Sequence, residues 1–584
     1  MPSQKVGEPI PLNTTHAVSV TLPTWEATVG YEEGQEWVTS QMNSGYPRFF
    51  IHSVIQELEK QIINKYGRDG ERCLIFPSYK AAKRCREFIK SHSDKESVQV
   101  RILQLSTPAP KTEEEKSYLT EATIAACLFP ASEFSLAKNY WQHSGEGISS
   151  RLGEYCLREL FIKDKDENID PSSKLLANSN LKQEIQAQAI QKKSPSISFK
   201  TSNSDETFYE SESYIDEKFG RILDLKFADQ AKAALRKRIC GNVEDSAGEA
   251  NSERSGHLDP SDVYLYPSGM ASIFHAHNTL LHVLSPKKSV CFGFPYVDTL
   301  NILKKFGPGV HFLGLGDDKS LDELEDNLVN GKVDIMALFC ECPSNPLLKT
   351  PNLKRIRKLA DQYDFAVVVD ETIGNFLNIH VLPYSDIVAS SLTKVFSGDS
   401  NVMGGSLILN PQSRYYNKVK KYFDEEYEDL FWAMDALHLE RNSRDFVERS
   451  AKINDTTAAV VDMLTLSPLI AKVYYPRLDS TKKYYDEVKT KHGGYGGLIS
   501  FLFKDPSDAV CFFNAVNIYK GPSLGTNFTL ASPYAILAHY QELDEIAKWD
   551  VDRNLIRVSV GLEDKDELLG VFEKALSVAK SNHN

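Results

Sequence analysis

The stretch FAVVVDETIGNFLNIHVLPYSDIVASSLTKVFSGDSNVMGG, residues 365–405, decides how the rest of the chain is read. It opens on an apolar run that ends at Asp370 and closes on a second run, DIVASSL, whose hydroxyl residues lead into Lys394 and a Gly-rich turn. Runs that stay apolar at consecutive positions belong to strands covered on both faces, the setting of parallel sheets. A carboxylate at the carboxyl end of such a strand sits where open α/β sheets bind ligands. Lysine is rarely placed at the end of a buried strand without a task. Each residue alone has a plainer reading: Asp370 as a turn or capping aspartate, Lys394 as a surface lysine after an edge strand.

Outward from this stretch, apolar runs recur at 262–267 (DVYLYP), 289–294 (SVCFGF), 310–315 (VHFLGL), 334–340 (DIMALFC) and 405–410 (GSLILN). Helical patterns lie between them, among them GMASIFHAHNTLLHVL after Ser268, SLDELEDNLVNG, and PNLKRIRKLADQYD with Pro351 near its start. The alternation predicts an α/β domain over 259–410 with a mostly parallel sheet. Residues 411–584 read as a smaller α+β domain with a long helical stretch, the strands KVYYP, GGLISFLF and LIRVSVGL, and a closing amphipathic helix. Residues 1–160 form an N-terminal segment, helical in SVIQELEKQIINKYG and YKAAKRCREFIKS. The span 161–258 is expected to be a largely disordered insertion and linker, since 163–213 holds too few large apolar residues to offset chain entropy and 243–261 is polar. One helix is expected near 214–241, stopped by Gly241.

Composition narrows the function. The 67 Lys plus Arg against 80 Asp plus Glu leave −13, a field that repels phosphate backbones and anionic headgroups, so neither nucleic acid nor membrane is an expected partner. No apolar stretch approaches the roughly 18 residues of a membrane span, and the N-terminus lacks a signal-peptide pattern. A cytoplasmic protein is expected, with the nucleus left open. The 9 cysteines include no C-x-x-C pair, so neither a disulfide framework nor a metal site follows, and Cys340 and Cys342 read as small buried hydrophobes.

The segment PSGMASIF runs from a strand into a helix, which offers the N–H groups of Gly269 and Met270 to a phosphate at the positive end of the helix dipole. Ser391 and Thr393, flanking the lysine, can add hydroxyl donors. Six segments, in order, resemble the pyridoxal phosphate enzymes of cysteine and methionine metabolism, the transsulfuration family. SGMAS (268–272) is similar to its phosphate loop, ECPSNP (341–346) to its E-S-P-x-N-P and VVVDET (367–372) to its V-V-D-N-T. SSLTKVFSGDSNVMGG (390–405) is similar to its S-x-T-K-x-x-x-G-H-S-D, PSLGTNF (522–528) to its S-L-G-G, and IRVSVGLED (556–564) to its I-R-L-S-V-G-x-E-D. The N-terminal elaboration is similar to that of the fungal cystathionine γ-synthase group.

The resemblance implies an aspartate aminotransferase-like fold (fold type I), pyridoxal 5′-phosphate as cofactor, small amino-acid substrates, and a homodimer or homotetramer. It makes Lys394 the Schiff-base lysine and Asp370 the partner of the ring nitrogen, whose protonation makes the ring an electron sink. Gly269, Met270, Ser391 and Thr393 become phosphate ligands. Asn345 would contact the cofactor's 3-hydroxyl and the substrate, while Ser523 and Arg557 would hold the amino-acid carboxylate, which guanidinium grips through two parallel hydrogen bonds. The plainer reading of Arg557 is a surface ion pair with Glu563 or Asp564.

Two family features are altered. Where the family's ring-stacking aromatic begins Y-G-G-x-Y-R, this chain has FGFPYV, which supplies Phe292 or Tyr296. The family's phosphate clamp from the neighbouring subunit, Y-x-R, has two candidates, Tyr46 with Arg48 in GYPRFF and Phe219 with Arg221 in FGRILD; the surroundings favour the first. The implied reaction is a γ-replacement that joins an O-acylated homoserine and cysteine into cystathionine. A cystathionine lyase or an O-acetylhomoserine sulfhydrylase stays open because Pro522 stands where relatives have an acidic or aromatic residue, and a catalytically silent interaction protein stays open because the clamp and ring-stacking segments are altered.

Overall fold

The computed structural model describes residues 4–42, 44–47, 49–162, 224–245, 248–249 and 252–581. The stretch 163–213 expected to be disordered lies outside the described residues, as do Arg48, Phe219 and Arg221.

All seven apolar runs are strands of one sheet. Its order is Val310–Leu313, Ser289–Phe292, Ala337–Glu341, Ala366–Asp370, Ile387–Ser391, Gly405–Leu409 and Val263–Tyr266. The first five pair in parallel, and Gly405–Leu409 alone runs antiparallel to both its neighbours. The continuous apolar character has its cause here: Leu338, Cys340, Val367 and Val369 point to one core, while Ala337, Phe339, Ala366 and Val368 point to another. Helix Gly269–Val283 follows the edge strand with Ser268 as its N-cap, its hydroxyl accepting from the Ala271 N–H. Helix Leu353–Tyr363 is capped in the same way by Asn352.

The large-domain core continues past residue 410. Val419 and Phe423 of helix Tyr416–Glu426 join the core on one face of the sheet, and Phe431, Ala436, Leu439 and Phe446 join the other. Helix Phe446–Leu466 then bridges the two domains, because its far end, with Val460, Val461 and Leu464, enters the small-domain core. The small sheet runs Ile470–Tyr474, Leu498–Phe503, Ile556–Ser559, Leu530–Pro533 and Tyr519–Lys520.

The N-terminal segment has two parts. Residues up to about 42 wrap the small domain: the Leu22 N–H donates to the Lys520 carbonyl at 2.9 Å, and Trp25 meets Phe513 edge-on at 6.0 Å. Residues 53–157 form a domain of their own, an antiparallel sheet with Thr123–Pro130 between Glu71–Phe76 and Arg101–Ser106, covered by helices that include Ser53–Tyr66, Tyr79–His92 and Phe134–Ser144. The expected helix near 214–241 appears as Ala228–Ile239, followed by Gly241 at φ 93°.

Residues 252–258, expected as linker, are instead pinned to the large domain. Arg254 is fully buried and pairs with the buried Glu371 next to Asp370. Composition hides this because a single arginine anchors an otherwise polar run. Among the described residues no helix is long and apolar enough to cross a membrane, no group of His, Cys, Asp and Glu could hold a metal, and no cysteine is disulfide-bonded.

Candidate active site

One cavity collects the carboxyl ends of the sheet strands and the approach of the small domain. It is lined by Gly269, Met270, Asn345, Asp370, Ser391, Thr393, Lys394 and Arg557 among the residues singled out in the sequence, and by Tyr46 and Tyr296 of the two altered segments. Lys394 leaves the end of strand Ile387–Ser391 and is buried. Its Nζ donates to the Tyr46 hydroxyl at 3.1 Å and to Ser523 Oγ at 3.4 Å. The turn behind it is held by Arg449, whose guanidinium donates to the carbonyls of Val395 at 2.8 Å and Phe396 at 2.9 Å. Arg449 carries no sequence signal, because it stands 53 residues from its nearest partner in the turn.

Asp370 ends its strand beside Glu341, the two carboxylates being register partners. Desolvation pushes the Asp370 carboxyl up to about 6, although the Thr372 N–H donates to its Oδ1 at 2.8 Å. Burial, then the neighbouring Asp370 charge, pushes Glu341 upward as well. Glu341 accepts from the backbone N–H groups of Tyr296 and Asn345, and so orders two segments of the cavity wall at once. Thr372 does the same between strands, since its Oγ1 also accepts from the Ser391 N–H at 2.8 Å. Both stand inside quoted motifs, yet only the fold reveals what they hold.

On the opposite wall Arg557 is buried, 5% exposed, so it makes no surface ion pair; Glu563 instead accepts from the Thr529 backbone and hydroxyl. Arg557 donates to Asn345 Oδ1 at 3.2 Å and to the carbonyls of Pro522 at 3.1 Å and Ser523 at 3.0 Å. Its guanidinium lies 5.0 Å from the Tyr534 ring, a cavity residue with no motif to mark it. Burial lowers its pKa from the ordinary arginine value.

Three expectations meet a different geometry. Phe292 lies in the hydrophobic core under the sheet rather than in the cavity lining, whereas Tyr296, beyond the strand end, lines the cavity. The strand must first leave the sheet before a side chain can face the site, and FGFPYV does not mark where that happens. The Thr393 hydroxyl is engaged with Gly404, donating to its carbonyl at 3.3 Å and accepting from its N–H at 3.1 Å, so its single proton is spent on the turn. The resemblance puts the Y-x-R tyrosine in the neighbouring subunit's site; here the Tyr46 hydroxyl lies 3.1 Å from Lys394 Nζ of its own chain, and the N-terminal segment before it is tied beyond the lysine turn by the Val18 N–H on the Ser400 carbonyl at 2.8 Å.

Residues 252–577 match the family model described as Cys/Met metabolism PLP-dependent enzyme, and residues 54–149 match that described as the N-terminal domain of a fungal trans-sulfuration enzyme. A cystathionine gamma-synthase of Saccharomyces cerevisiae is 45% identical over 99% of this chain and 100% of its own. One of Neurospora crassa is 44% identical over 99% of each. A solved cystathionine gamma synthase from Xanthomonas oryzae pv. oryzae, 21% identical, covers 66% of this chain and 94% of its own with a TM-score of 0.50, which marks the shared fold. The chain belongs to the Cys/Met metabolism family of pyridoxal-phosphate-dependent enzymes, with the fold type I architecture. The donor set fits that cofactor. A helix leaves its first N–H groups without intrahelical acceptors, and with Ala271 N–H on Ser268 and Ser272 N–H on the Ser268 carbonyl, those of Gly269 and Met270 remain for an anion. A Cβ on Gly269 would lie 2.6 Å from Ser391 Cβ, so only glycine lets the helix end approach that strand.

Proposed function

We propose that this protein is a cystathionine γ-synthase: it forms a Cγ–S bond between an O-acylated homoserine and cysteine, giving cystathionine and releasing the acyl group as a carboxylate. The observation that carries this reading is the meeting of Lys394, Asp370 and Arg557 in one cavity, in a chain similar along its length to fungal cystathionine γ-synthases.

Pyridoxal 5′-phosphate, when bound, supplies an aldehyde that takes up amino groups and a ring that accepts charge from the substrate's α-carbon. The N–H groups of Gly269 and Met270 with the Ser391 hydroxyl would hold the phosphate, Arg48 would be its cationic partner, with Arg221 as the alternative, and Thr393 would serve the turn instead. Asp370 would keep the ring nitrogen protonated, and Tyr296, not Phe292, would be the aromatic at the ring. Lys394 would anchor the cofactor. Freed by the substrate amine, its Nζ would move protons on and off Cα and Cβ, with the hydroxyls of Tyr46 and Ser523 holding it in place. Proton removal at Cβ would let the Cγ–O bond break, the acyloxy group leaving with its electron pair as a carboxylate, and the cysteine thiolate would then add at Cγ while Lys394 returns the proton. Arg557, aimed by Asn345 and two backbone carbonyls, would take the α-carboxylate.

The family resemblance supports a homodimer or homotetramer, and nine cysteines without a disulfide fit a reducing compartment, the cytoplasm. The test is to incubate the purified protein with O-acetylhomoserine and O-succinylhomoserine, each with cysteine or with sulfide, and with cystathionine alone. Cystathionine should form from at least one acylated homoserine. Breakdown of cystathionine without its synthesis would identify a lyase, and use of sulfide in place of cysteine a sulfhydrylase.

A further inference from the structure

The N-terminal domain meets the large domain at the first turn of helix Gly269–Val283. Among their contacts is the turn at residues 144–146, where helix Phe134–Ser144 ends in Gly145 with φ 65°. The Gly145 carbonyl accepts from Ser268 Oγ at 3.0 Å, and the same Ser268 oxygen accepts from the Ala271 N–H at 3.1 Å. The N-cap of the helix is therefore shared with the other domain. A Cβ on Gly145 would lie 2.5 Å from Met270 Cβ and 2.7 Å from the Ala271 nitrogen, so the approach demands glycine for space as well as for backbone conformation.

Glu146, 2% exposed, ties the same two domains one residue later. From its own domain it accepts from Arg84 Nε at 3.1 Å and from the Tyr140 hydroxyl; from helix Gly269–Val283 it accepts from His275 Nε2 at 3.0 Å. Burial alone would raise its pKa, but the Arg84 guanidinium and His275 hold the carboxyl well below the usual range, so the group stays charged. Phe274 meets the Tyr140 ring edge-on at 6.2 Å and fixes the next residue of that helix against the same domain. Ser268, Phe274 and His275 are thus all held by the N-terminal domain, and they lie on either side of the two N–H groups assigned above to the phosphate.

We propose that the turn 144–146 is a brace that fixes the phosphate-binding end of helix Gly269–Val283, so that the N-terminal domain sets the protein's affinity for the phosphate of its cofactor. Gly145 and Glu146 are positioning residues, and the proposal rests on the reading of Gly269 and Met270 as phosphate ligands. A merely structural joint would lower stability without discriminating between ligands that do and do not carry a phosphate.

The full-length protein, stripped of cofactor, is titrated with pyridoxal 5′-phosphate and with pyridoxal, and the ratio of the two Kd values is compared among variants. Wild type should prefer the phosphorylated ligand. Gly145→Ala should weaken it about tenfold, the effect of misplacing one hydrogen bond, and leave pyridoxal binding unchanged. Glu146→Gln, which keeps the side chain's size, should move the ratio in the same direction if Gly145→Ala does not fold. Ile62→Ala, a cavity elsewhere in the N-terminal domain, should lower the melting temperature and leave the ratio alone. A wild-type preference that survives intact in Gly145→Ala and Glu146→Gln overturns the brace. No preference in wild type itself overturns the phosphate reading beneath it.

Discussion

Replacing Arg254 by methionine keeps most of the side chain's volume and leaves Glu371 buried without its partner. Arg254 is 0% exposed and Glu371 1%. The guanidinium donates to Glu371 Oε2 and to the Ile239 carbonyl at 3.2 Å, and it lies 4.9 Å from the Phe376 ring. Breaking a buried pair from one side costs about 3–5 kcal/mol, because the remaining charge is uncompensated; this degree of burial places Arg254→Met in that range. The double variant Arg254→Met, Glu371→Gln removes both charges and should lose less than the sum of the single variants. The deficit also depends on pH. Burial already raises the Glu371 carboxyl with Arg254 beside it, and without Arg254 it rises further. A carboxyl raised in the folded state gives stability below its unfolded pKa that is lost as pH climbs through its folded pKa. The variant therefore falls furthest behind wild type at higher pH, and the gap narrows by up to about 1.4 kcal/mol per pH unit as pH is lowered. Urea unfolding of wild type, both single variants and the double variant, repeated over a range of pH, measures all of this. An Arg254→Met protein within about 1 kcal/mol of wild type, or a deficit that ignores pH, would refute the reasoning.

Asp370 should make cofactor affinity pH-dependent. Its carboxyl, raised to about 6 in the cofactor-free chain, takes up a proton well above the ordinary aspartate range, so affinity for pyridoxal 5′-phosphate should fall as pH drops through that value. Asp370→Asn should bind more weakly at neutral pH and lose that dependence; the same profile in both proteins would count against the assignment. Arg557→Lys replaces a two-pronged contact by a point charge, and steady-state kinetics should show KM for the acylated homoserine rising about ten- to hundredfold, the worth of roughly 1.5–3 kcal/mol. The Tyr46 hydroxyl lies 3.1 Å from Lys394 Nζ of its own chain, so co-expressed Tyr46→Ala and Lys394→Ala subunits, isolated as mixed oligomers through two tags, should show no activity beyond that of the parents. Recovery would place Tyr46 in the neighbouring subunit's site.

The large domain was legible because its central strands are apolar on both faces, so runs such as FAVVVD stand out against any helical pattern. Less was visible elsewhere. The strand Leu530–Pro533 in the small sheet has only four residues and ends in proline, and Tyr519–Lys520 has two, too few for any period to register. In the N-terminal domain the central strand Thr123–Pro130 carries Ala-Ala-Cys in its middle, small residues with little strand preference. The site followed the same division. Lys394, Asp370, Asn345 and Arg557 sit at the ends of regular elements inside motifs, and the fold brings them together. Residues that work through long-range contacts, such as Arg449 on the lysine turn or Arg254 on Glu371, have no local pattern. The choice between Phe292 and Tyr296 depends on where a strand leaves its sheet, a matter of backbone geometry rather than of residue type.

Lys394 is proposed above as the amine through which the protein handles its cofactor. Borohydride reduction of the cofactor-loaded protein, followed by peptide mass mapping, tests it directly. A second buried lysine makes the test discriminating: Lys520 lies outside the cavity lining, its ammonium pushed down to about 8 by desolvation, and is a ready nucleophile by that measure alone. The pyridoxyl label should be found on the peptide that contains Lys394 and be absent from Lys394→Ala. A label on Lys520, or undiminished labelling of Lys394→Ala, would contradict the account.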